Sequence, residues 1–398
     1  MVRTSCCKAF APLLLLLLAS HVFAVTQQVL YSLGGLSHPD AARPSSGLVA
    51  GGSGVFYGVT GTGGTFAGGA VYQLTRRGST WVETVIYSFS FGNPIGNLVR
   101  DADSNLYGVT SGGGAANAGV VFELSRTPSG WVATILYEFT GGADGSSPAG
   151  GITRDRFGNL YGVTSFSNGG TAGSTIFKLS PSSGGYLEET LFTLDTPRAN
   201  PDLAIDWAGN LYGSTQFGGE RGLGTVYRLS PAGGTWTYSV LHSFQGAARG
   251  DCAQPRAGVT IDPRGNVDGT TVTCGTGHPG GIFQLSQTKG VWQESILYKF
   301  SGPDGAHPRA PLIRDSAGNF YGTTFEGGVA GVNGNLHVGT VFQLSPSAAG
   351  YTFTPLHSFS GPDGDYPRTK LLRDKSGNLY GAASGGANKL GVVYQISP

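Results

Sequence analysis

The sequence lacks the basic excess that nucleic-acid-binding proteins carry. Charged residues make up only 12% of the chain, with 25 Lys and Arg against 24 Asp and Glu. Without Arg3 and Lys8, which lie in a predicted leader, 23 basic residues face 24 acidic ones, and the net charge is near −1. Nucleic acids and anionic membranes attract strongly basic proteins. We therefore expect neither as a partner, and we expect a soluble monomer.

Long apolar runs are also missing beyond the first 24 residues. In that segment Arg3 and Lys8 precede the apolar run at 13–18, and Ala24 ends a short stretch typical of a cleavage site. This order of charge, apolar run and cleavage site is typical of a secretory signal peptide. The run is too short to span a membrane. We therefore predict a signal peptide at 1–24 and a mature chain in the periplasm or outside the cell.

Cysteine is scarce, with four residues in the whole chain. Cys6 and Cys7 precede the apolar run and leave with the signal peptide. The mature protein then keeps only Cys252 and Cys274, an even number in an oxidising compartment. A disulfide between them is the expected outcome.

No segment shows the apolar period of a capped helix. Instead the chain has 68 glycines and repeats a segment close to Asp-x-x-Gly-Asn-Leu-Tyr-Gly seven times, the first copy being degenerate. A period of 50 to 59 residues indicates propeller blades rather than short solenoid turns. The tyrosine position of the repeat falls at Tyr57, Tyr107, Tyr161, Tyr212, Asp268, Tyr321 and Tyr380.

Each period contains four short runs of β-branched and aromatic residues bounded by Gly, Pro, Asn or Asp, as strands are. Each of the four classes has seven members. The mature chain begins with a fourth-class run at 28–33 and ends with a third-class run at 391–397. If the first run completes the last blade, no open sheet edge is left. We predict one all-β domain at 26–398, a closed seven-bladed β-propeller with four antiparallel strands per blade.

The repeated aspartates have two interpretations. A row of carboxylates at fixed spacing is compatible with metal or acid-base chemistry. In Asp155-Arg156-Phe157-Gly158-Asn159, however, the aspartate can accept hydrogen bonds from its own turn while Gly158 takes a left-handed conformation. The spacing therefore favours a structural role in the hairpin between the first and second strands.

Two segments show the full motif most clearly: residues 297–305 with Pro308, which read Leu-Tyr-Lys-Phe-Ser-Gly-Pro-Asp-Gly, and residues 318–324, which read Gly-Asn-Phe-Tyr-Gly-Thr-Thr. This pattern resembles the GloVer-type (Gloeobacter/Verrucomicrobia) tandem repeats of exported bacterial proteins. The resemblance implies export and repetition, but no defined reaction. The blade unit is more distantly similar to NHL and gluconolactonase-like propellers, which implies that the first strand of each blade is innermost.

In that strand order, the loops before first strands and after second strands share one face of the ring. Loops on a rigid scaffold commonly hold binding residues. Asp304 and Asp363 are candidates for ligand or Ca²⁺ binding there, although Asp-Gly followed by Pro is also an ordinary turn. His307, Glu326 and His337 are further candidates on the same face, with solvated loop residues as the alternative.

The fifth unit departs most from the repeat. Asp268 replaces the tyrosine, and both mature cysteines flank it in sequence. One interpretation is a specialised binding edge formed by Arg249, Asp251, Asp268 and the bridged loops. The alternative is a drifted blade in which the disulfide offsets lost aromatic packing.

The sequence contains no recognisable Ser-His-Asp set, phosphate loop or zinc motif, so no catalytic residue is assigned. Tryptophans at the start of several fourth strands, such as Trp81 and Trp131, are compatible with sugar stacking or with packing. We expect a non-enzymatic exported module that binds a carbohydrate, peptide or envelope component and needs no cofactor, with Ca²⁺ as an open option. The alternatives are a metal-dependent lactonase-like or lyase-like enzyme and a purely structural surface module.

Overall fold

A computed structural model of the protein describes residues 25–34, 40–166, 173–196, 199–200, 202–328 and 338–397. The predicted signal peptide and His337 lie outside these ranges. Among the described residues there is no helix long and apolar enough to cross a membrane.

The chain folds as a seven-bladed β-propeller, as predicted. Strand β1 is Thr26–Ser32. Blade I contains β2 (Ala41–Pro44), β3 (Val49–Gly52), β4 (Val55–Gly63), β5 (Ala70–Arg77) and β6 (Thr80–Ser88). Blade II contains β7 (Pro94–Arg100), β8 (Leu106–Thr110), β9 (Val120–Thr127) and β10 (Gly130–Glu138). Blade III contains β11 (Ser146–Pro148), β12 (Thr153–Arg154), β13 (Leu160–Phe166), β14 (Thr175–Ser182) and β15 (Gly185–Thr193).

The second half of the ring repeats this arrangement. Blade IV contains β16 (Ala204–Ile205), β17 (Leu211–Thr215), β18 (Thr225–Ala232) and β19 (Thr235–Ser243), and a 3-10 turn follows at Ala247–Arg249. Blade V contains β20 (Cys252–Ala253), β21 (Thr260–Ile261), β22 (Val267–Thr271), β23 (Thr273–Cys274), β24 (Gly281–Thr288) and β25 (Val291–Lys299). Blade VI contains β26 (Ile313–Arg314), β27 (Phe320–Thr324), β28 (Thr340–Ser347) and β29 (Gly350–Ser358). Blade VII contains β30 (Leu372–Arg373), β31 (Leu379–Ala383) and β32 (Val392–Ser397).

The N-terminal strand closes the ring. β1 pairs antiparallel with β32 and becomes the outer strand of blade VII, with Thr26 opposite Ser397 and Ser32 opposite Val392. The predicted closure is therefore confirmed. Because β1 pairs with one edge of β32 and β31 pairs with the other, β32 has no unpaired edge.

Aromatic contacts join successive blades. Each phenylalanine that follows an outer strand packs against an aromatic side chain on the third strand of the next blade. The ring centroids are 5.0 to 5.4 Å apart in the pairs Phe89–Phe122, Phe139–Phe177, Phe244–Phe283, Phe300–Phe342 and Phe359–Tyr394. Such pairs contribute about 0.5–1.5 kcal/mol each beyond their burial.

The glycine after the repeat tyrosine is required by this packing. A Cβ atom at Gly162 would lie only 2.4 Å from Cζ of Phe177 on the neighbouring strand. The corresponding glycines of the other blades meet a third-strand tyrosine or phenylalanine in the same way. A side chain there would displace the aromatic ring from the core.

Candidate functional site at the channel mouth

The repeated aspartates hold hairpins. Asp155 accepts hydrogen bonds at Oδ1 from the backbone amides of Phe157 and Asn159, at 2.8 and 2.9 Å. Its Oδ2 accepts from the Asn159 side chain at 2.7 Å and from the Tyr161 hydroxyl at 3.1 Å. Equivalent networks surround Asp101, Asp206, Asp315 and Asp374. The hairpin interpretation of these carboxylates therefore matches the structure.

Asp304 and Asp363 are also tied into their own loops. The Tyr298 hydroxyl donates to Asp304 Oδ2 at 2.6 Å, and the Ser301 amide donates to Oδ1 at 2.8 Å. His357 Nε2 lies 2.8 Å from Asp363 Oδ2. Burial acts to raise the pKa of Asp363, but hydrogen bonds from His357 and Ser360 outweigh it and lower the pKa. Both carboxylates thus connect an outer strand to the loop that follows it.

His307 and Glu326 are brought together on blade VI. Nδ1 of His307 lies 2.9 Å from Glu326 Oε2, and both side chains are about one-third exposed, at 35% and 39%. The backbone of the neighbouring Ala306 pairs with Glu326, which fixes the two loops against each other.

The two loops of blade V are joined by the predicted disulfide between Cys252 and Cys274. Asp251 precedes the first cysteine, and Arg249 ends the adjacent 3-10 turn. Arg249 lines an open surface depression of about 540 Å³ together with Glu220, Arg221 and Gln245. Asp251 and Arg249 therefore lie on the loop face, as the sequence interpretation places them.

Asp268 is at the other end of the blade V hairpin. It pairs with Thr260, next to the Asp262 turn, whereas the disulfide lies at the loop end. Its side chain is fully buried, with one oxygen accepting from Gln284 Nε2 at 2.7 Å and the other lacking a partner among the described residues. Burial raises the pKa of Asp268 to about 6. The structure thus does not group Asp268 with Asp251.

The tryptophans that open the outer strands pack against aromatic residues of their own or the neighbouring blade. Trp131 lies edge-on to Tyr57 at 5.7 Å, and Trp236 lies edge-on to Tyr161 at 6.3 Å. Trp81 stacks on Phe56 of its own blade at 5.2 Å. These contacts account for the regular recurrence of the aromatic residues through packing.

The ring encloses a central cavity of about 160 Å³ to which all seven blades contribute. The contributions come from the segments that lead into the innermost strands, at the loop face. The lining side chains include Ser45, Ile95, Asn97, Asp202, Arg256, Arg309, Arg368, Thr369 and Lys370. We call this cavity and its rim the channel mouth.

Three consecutive blades place an arginine at the same position of the channel mouth. Arg256, Arg309 and Arg368 each follow a proline. Each lies three positions before the buried core residue that directly precedes the innermost strand, which is Val259, Leu312 or Leu371. The other four blades have Ser45, Ile95, Ala149 and Asn200 there. The cations are therefore grouped on one side of the ring.

Arg309 lies at the centre of this group. Its guanidinium carbon is 3.8 Å from the centroid of the Phe325 ring, and its Nε has no hydrogen-bond partner among the described residues. Burial, followed by the charges of Arg256 and Arg368, lowers the pKa of Arg309, while Glu326 opposes this shift. An additional anion next to Arg309 would relieve the repulsion between the cations.

The floor of the channel mouth is polar and closely packed. Asn97 accepts a 2.7 Å hydrogen bond from the Gly47 amide and reaches Asp202 at 3.4 Å. Burial raises the pKa of Asp202, whereas Lys370 and Asn97 act in the opposite direction. Lys370 therefore compensates Asp202, the one carboxylate among the described residues that line the cavity.

A divalent cation does not fit this donor set. Asn97 and Asp202 supply suitable oxygen atoms, but the Lys370 charge acts on Asp202, and three arginines surround the rim. The charges would repel a metal ion and attract an anion. No channel metal is therefore assigned.

Sequence reasoning missed the cations of the channel mouth, although a signal was present. The dipeptide Pro-Arg occurs at residues 255–256, 308–309 and 367–368, with its proline four residues before a core position of the inner strand. Asn97, Asp202 and Lys370 share the position directly before that core residue. Aligning the repeats at these positions reveals the recurring basic residues. Only closure of the ring brings their side chains to one cavity.

A match to the model for the Gloeobacter/Verrucomicrobia repeat covers residues 20–203 and 199–398. The chain belongs to this repeat family. Among curated proteins, none matches the chain in sequence. The family repeat therefore corresponds to the propeller blades described above.

A solved structure shares the fold of this family member at low sequence identity. A candidate 6-phosphogluconolactonase from Bacteroides uniformis is 14% identical, with a TM-score of 0.53 over 85% of this chain and 89% of that protein. A gluconolactonase from Xanthomonas campestris is also 14% identical, with a TM-score of 0.42 over 94% of this chain and 89% of that protein. At such identities the similarity concerns the fold alone.

Proposed function

We propose that the protein is an exported, non-enzymatic binding module that holds an anionic ligand at its channel mouth. The ligand class is a carbohydrate of the cell envelope that carries carboxylate or phosphate groups. The disulfide between Cys252 and Cys274 supports export, because disulfides persist in oxidising compartments.

The observation that carries this proposal is the grouping of Arg256, Arg309, Arg368 and Lys370 around one cavity. Arginine presents a planar fork of donors that matches carboxylate and phosphate oxygens. Arg256 has a partner in the side chain of Gln216, whose amide oxygen in its favourable orientation accepts at 2.7 and 2.8 Å. Arg309 retains a free donor at Nε among the described residues.

The size of the cavity limits what enters it. Its volume of about 160 Å³ is below the range of roughly 300–1,000 Å³ that holds a drug-sized ligand. One charged group therefore enters the channel mouth, and the remaining sugar units lie across the surrounding loops. His307 and Glu326 border this path on blade VI.

Calorimetric titration with matched charged and neutral oligosaccharides tests the proposal. We expect uronic-acid or phosphorylated oligomers to bind and their neutral counterparts to bind at least tenfold more weakly. Affinity falls as salt is raised, because exposed charges are screened. The variant Arg309→Ala should lose about 10- to 100-fold in affinity, as expected for one charge-assisted contact of 1.5–3 kcal/mol.

The repeat itself indicates a substitution that preserves the blade fold, and the chain also offers a control. Alanine occurs naturally at the equivalent position, Ala149, so Arg309→Ala is compatible with the blade fold. Arg126→Ala removes an exposed cation at the hairpin end of β9, on the opposite rim of the ring, and should leave affinity unchanged. Equal binding of neutral and charged oligomers, or unchanged binding by Arg309→Ala, would contradict the proposal.

A further inference from the structure

Outer strands of neighbouring blades meet at three recurring positions. The first lies on the outer strand of a blade, opposite the second residue of the third strand in the same blade. Tyr298, which is opposite Ile282, is an example. The second is the loop aspartate that follows it, such as Asp304. The third lies on the outer strand of the next blade, such as Phe353, whose ring stacks on Tyr298 with centroids 4.4 Å apart. We call these three residues an interface set.

The interface set between blades IV and V has a different chemistry. Its members are His242 on β19, Asp251 in the connecting loop and Glu294 on β25. Their ligand atoms all lie within 4.8 Å of one another. Among the described residues, this is the one group of three His, Cys, Asp or Glu side chains whose geometry suits a metal ion.

Other interfaces carry partial versions of this set, and two of them show its ordinary hydrogen bond. Between blades II and III the residues are Tyr137, Asp144 and Glu188, so the histidine is missing. Between blades VI and VII they are His357, Asp363 and Gln27, so the glutamate is missing. In both, the first residue bonds directly to the aspartate, at 3.0 and 2.8 Å. The comparison shows the ordinary structural role of the set.

His242 does not make the ordinary bond. Its Nε2 lies between the two carboxylates, 3.4 Å from Asp251 Oδ2 and 3.9 Å from Glu294 Oε2. Nε2 of His242 and Oε1 of Glu294 are both buried without a hydrogen-bond partner among the described residues. An unsatisfied buried polar atom calls for a partner, and an ion held between these two side chains would supply one.

The position of Asp251 is fixed by the surrounding backbone. Its Oδ2 accepts from the Gln245 amide at 2.5 Å, and its Oδ1 accepts from the Cys252 amide at 2.6 Å. The disulfide at Cys252 joins this loop to the next one. Asp251 is therefore held in place by its neighbours, as metal-ligating carboxylates usually are.

We propose that His242, Asp251 and Glu294 bind one divalent transition-metal ion, with zinc as the test ion. Zinc accepts imidazole nitrogen and carboxylate oxygen at about 2.0–2.2 Å in a tetrahedral arrangement, which places ligand atoms about 3.3 Å apart. The two separations from His242, 3.4 and 3.9 Å, need only a small contraction. The fourth position remains for water or a ligand.

The positive charge of Lys299 acts on Glu294 and would repel a metal ion bound there, so Lys299 opposes such a site. The alternative occupant of the set is a proton shared within the cluster. Both alternatives keep the blades together, but only the metal site predicts stoichiometric zinc. The proposal does not depend on anion binding at the channel mouth.

Zinc binding by untagged mature protein, stripped with a chelator and dialysed, tests the site. Elemental analysis and competition with a chromophoric chelator should give one zinc per chain. His242→Tyr introduces the residue that Tyr137 and Tyr298 supply at other interfaces. It should weaken binding by more than about tenfold, the lower limit expected even for an outer-shell partner. Glu294→Gln, which introduces the residue type that Gln27 supplies between blades VI and VII, should do the same.

His357→Tyr is the matched control, because it makes the same replacement in the set that lacks the glutamate. It should bind zinc like the wild type. Zinc should raise the melting temperature of the wild type and of His357→Tyr, but not that of His242→Tyr. Substoichiometric zinc on the wild type, or equal zinc affinity in His242→Tyr and His357→Tyr, overturns the proposal. If His242→Tyr does not fold, the zinc affinity of Glu294→Gln tests the site independently.

Discussion

Arg314 Nη1 donates a 2.7 Å hydrogen bond to Asp262 Oδ2 across the interface between blades V and VI. In five other blades the corresponding oxygen accepts from the repeat tyrosine. Blade V has Asp268 instead of that tyrosine, so the arginine of the next blade takes over the contact. The neighbouring blade thus supplies the contact that the repeat tyrosine makes elsewhere.

Arg314→Ala should destabilise the protein by about 2–4 kcal/mol, because Asp262 is almost fully buried and would lose its charged partner. Urea unfolding at neutral pH measures this change. Arg373→Ala is the matched control, since Asp315 lies 3.8 Å from Arg373 and keeps its tyrosine. The control should cost less than about 1 kcal/mol. Equal losses in both variants would contradict the compensating role.

Asp268 should make stability fall between about pH 4 and pH 6. Its pKa rises from 3.8 to about 6 on folding, mainly through burial. Well below pH 4 the group is protonated in both states, and as the pH rises the unfolded state ionises first. The stabilisation is therefore present at low pH and is lost as pH rises through the folded pKa.

Asp268→Asn removes this titration. Relative to the variant, the wild type should lose about 2 kcal/mol between pH 4 and pH 7. The full shift of about two pKa units corresponds to about 3 kcal/mol, but part of it is already lost at pH 4, where the unfolded state is half ionised. Urea unfolding of both proteins at pH 4, 5, 6 and 7 gives the difference. A difference that stays constant with pH would show that Asp268 keeps its ordinary pKa in the folded state.

Deletion of residues 26–34 should lower the melting temperature markedly. Without β1, blade VII loses its outer strand, and β32 becomes an unpaired edge. The measurement is thermal unfolding of the purified mature and shortened chains. Because β1 and the residues after it also contribute Leu30 and Leu33 to the core between blades VII and I, the loss includes buried apolar surface. An unchanged melting temperature would argue against a stabilising closure.

The blades, the hairpins and the closure were predictable from the sequence. Asp155, Gly158 and Asn159 interact within five residues, so their spacing alone indicates the turn. The complementary strand classes at the two chain ends predict the pairing of β1 with β32. The disulfide followed from the two remaining cysteines.

The channel mouth and the interface set were not predictable in this way. Arg256 and Arg309 are 53 residues apart in the chain, and His242 and Glu294 are 52 residues apart. Their partners are supplied by the next blade rather than by nearby residues in the chain. The candidate carboxylates Asp304 and Asp363 were conspicuous in sequence, yet the structure ties them to Tyr298 and His357.

By itself the sequence determined the repeating unit, because turn chemistry and strand alternation act over a few residues. It also determined the number of blades and how the two ends complement each other. Only the tertiary structure decided which variable positions face each other. Closing the ring brings residues from successive repeats to one axis and to shared blade interfaces, where burial and charge give them a chemistry that no single repeat contains.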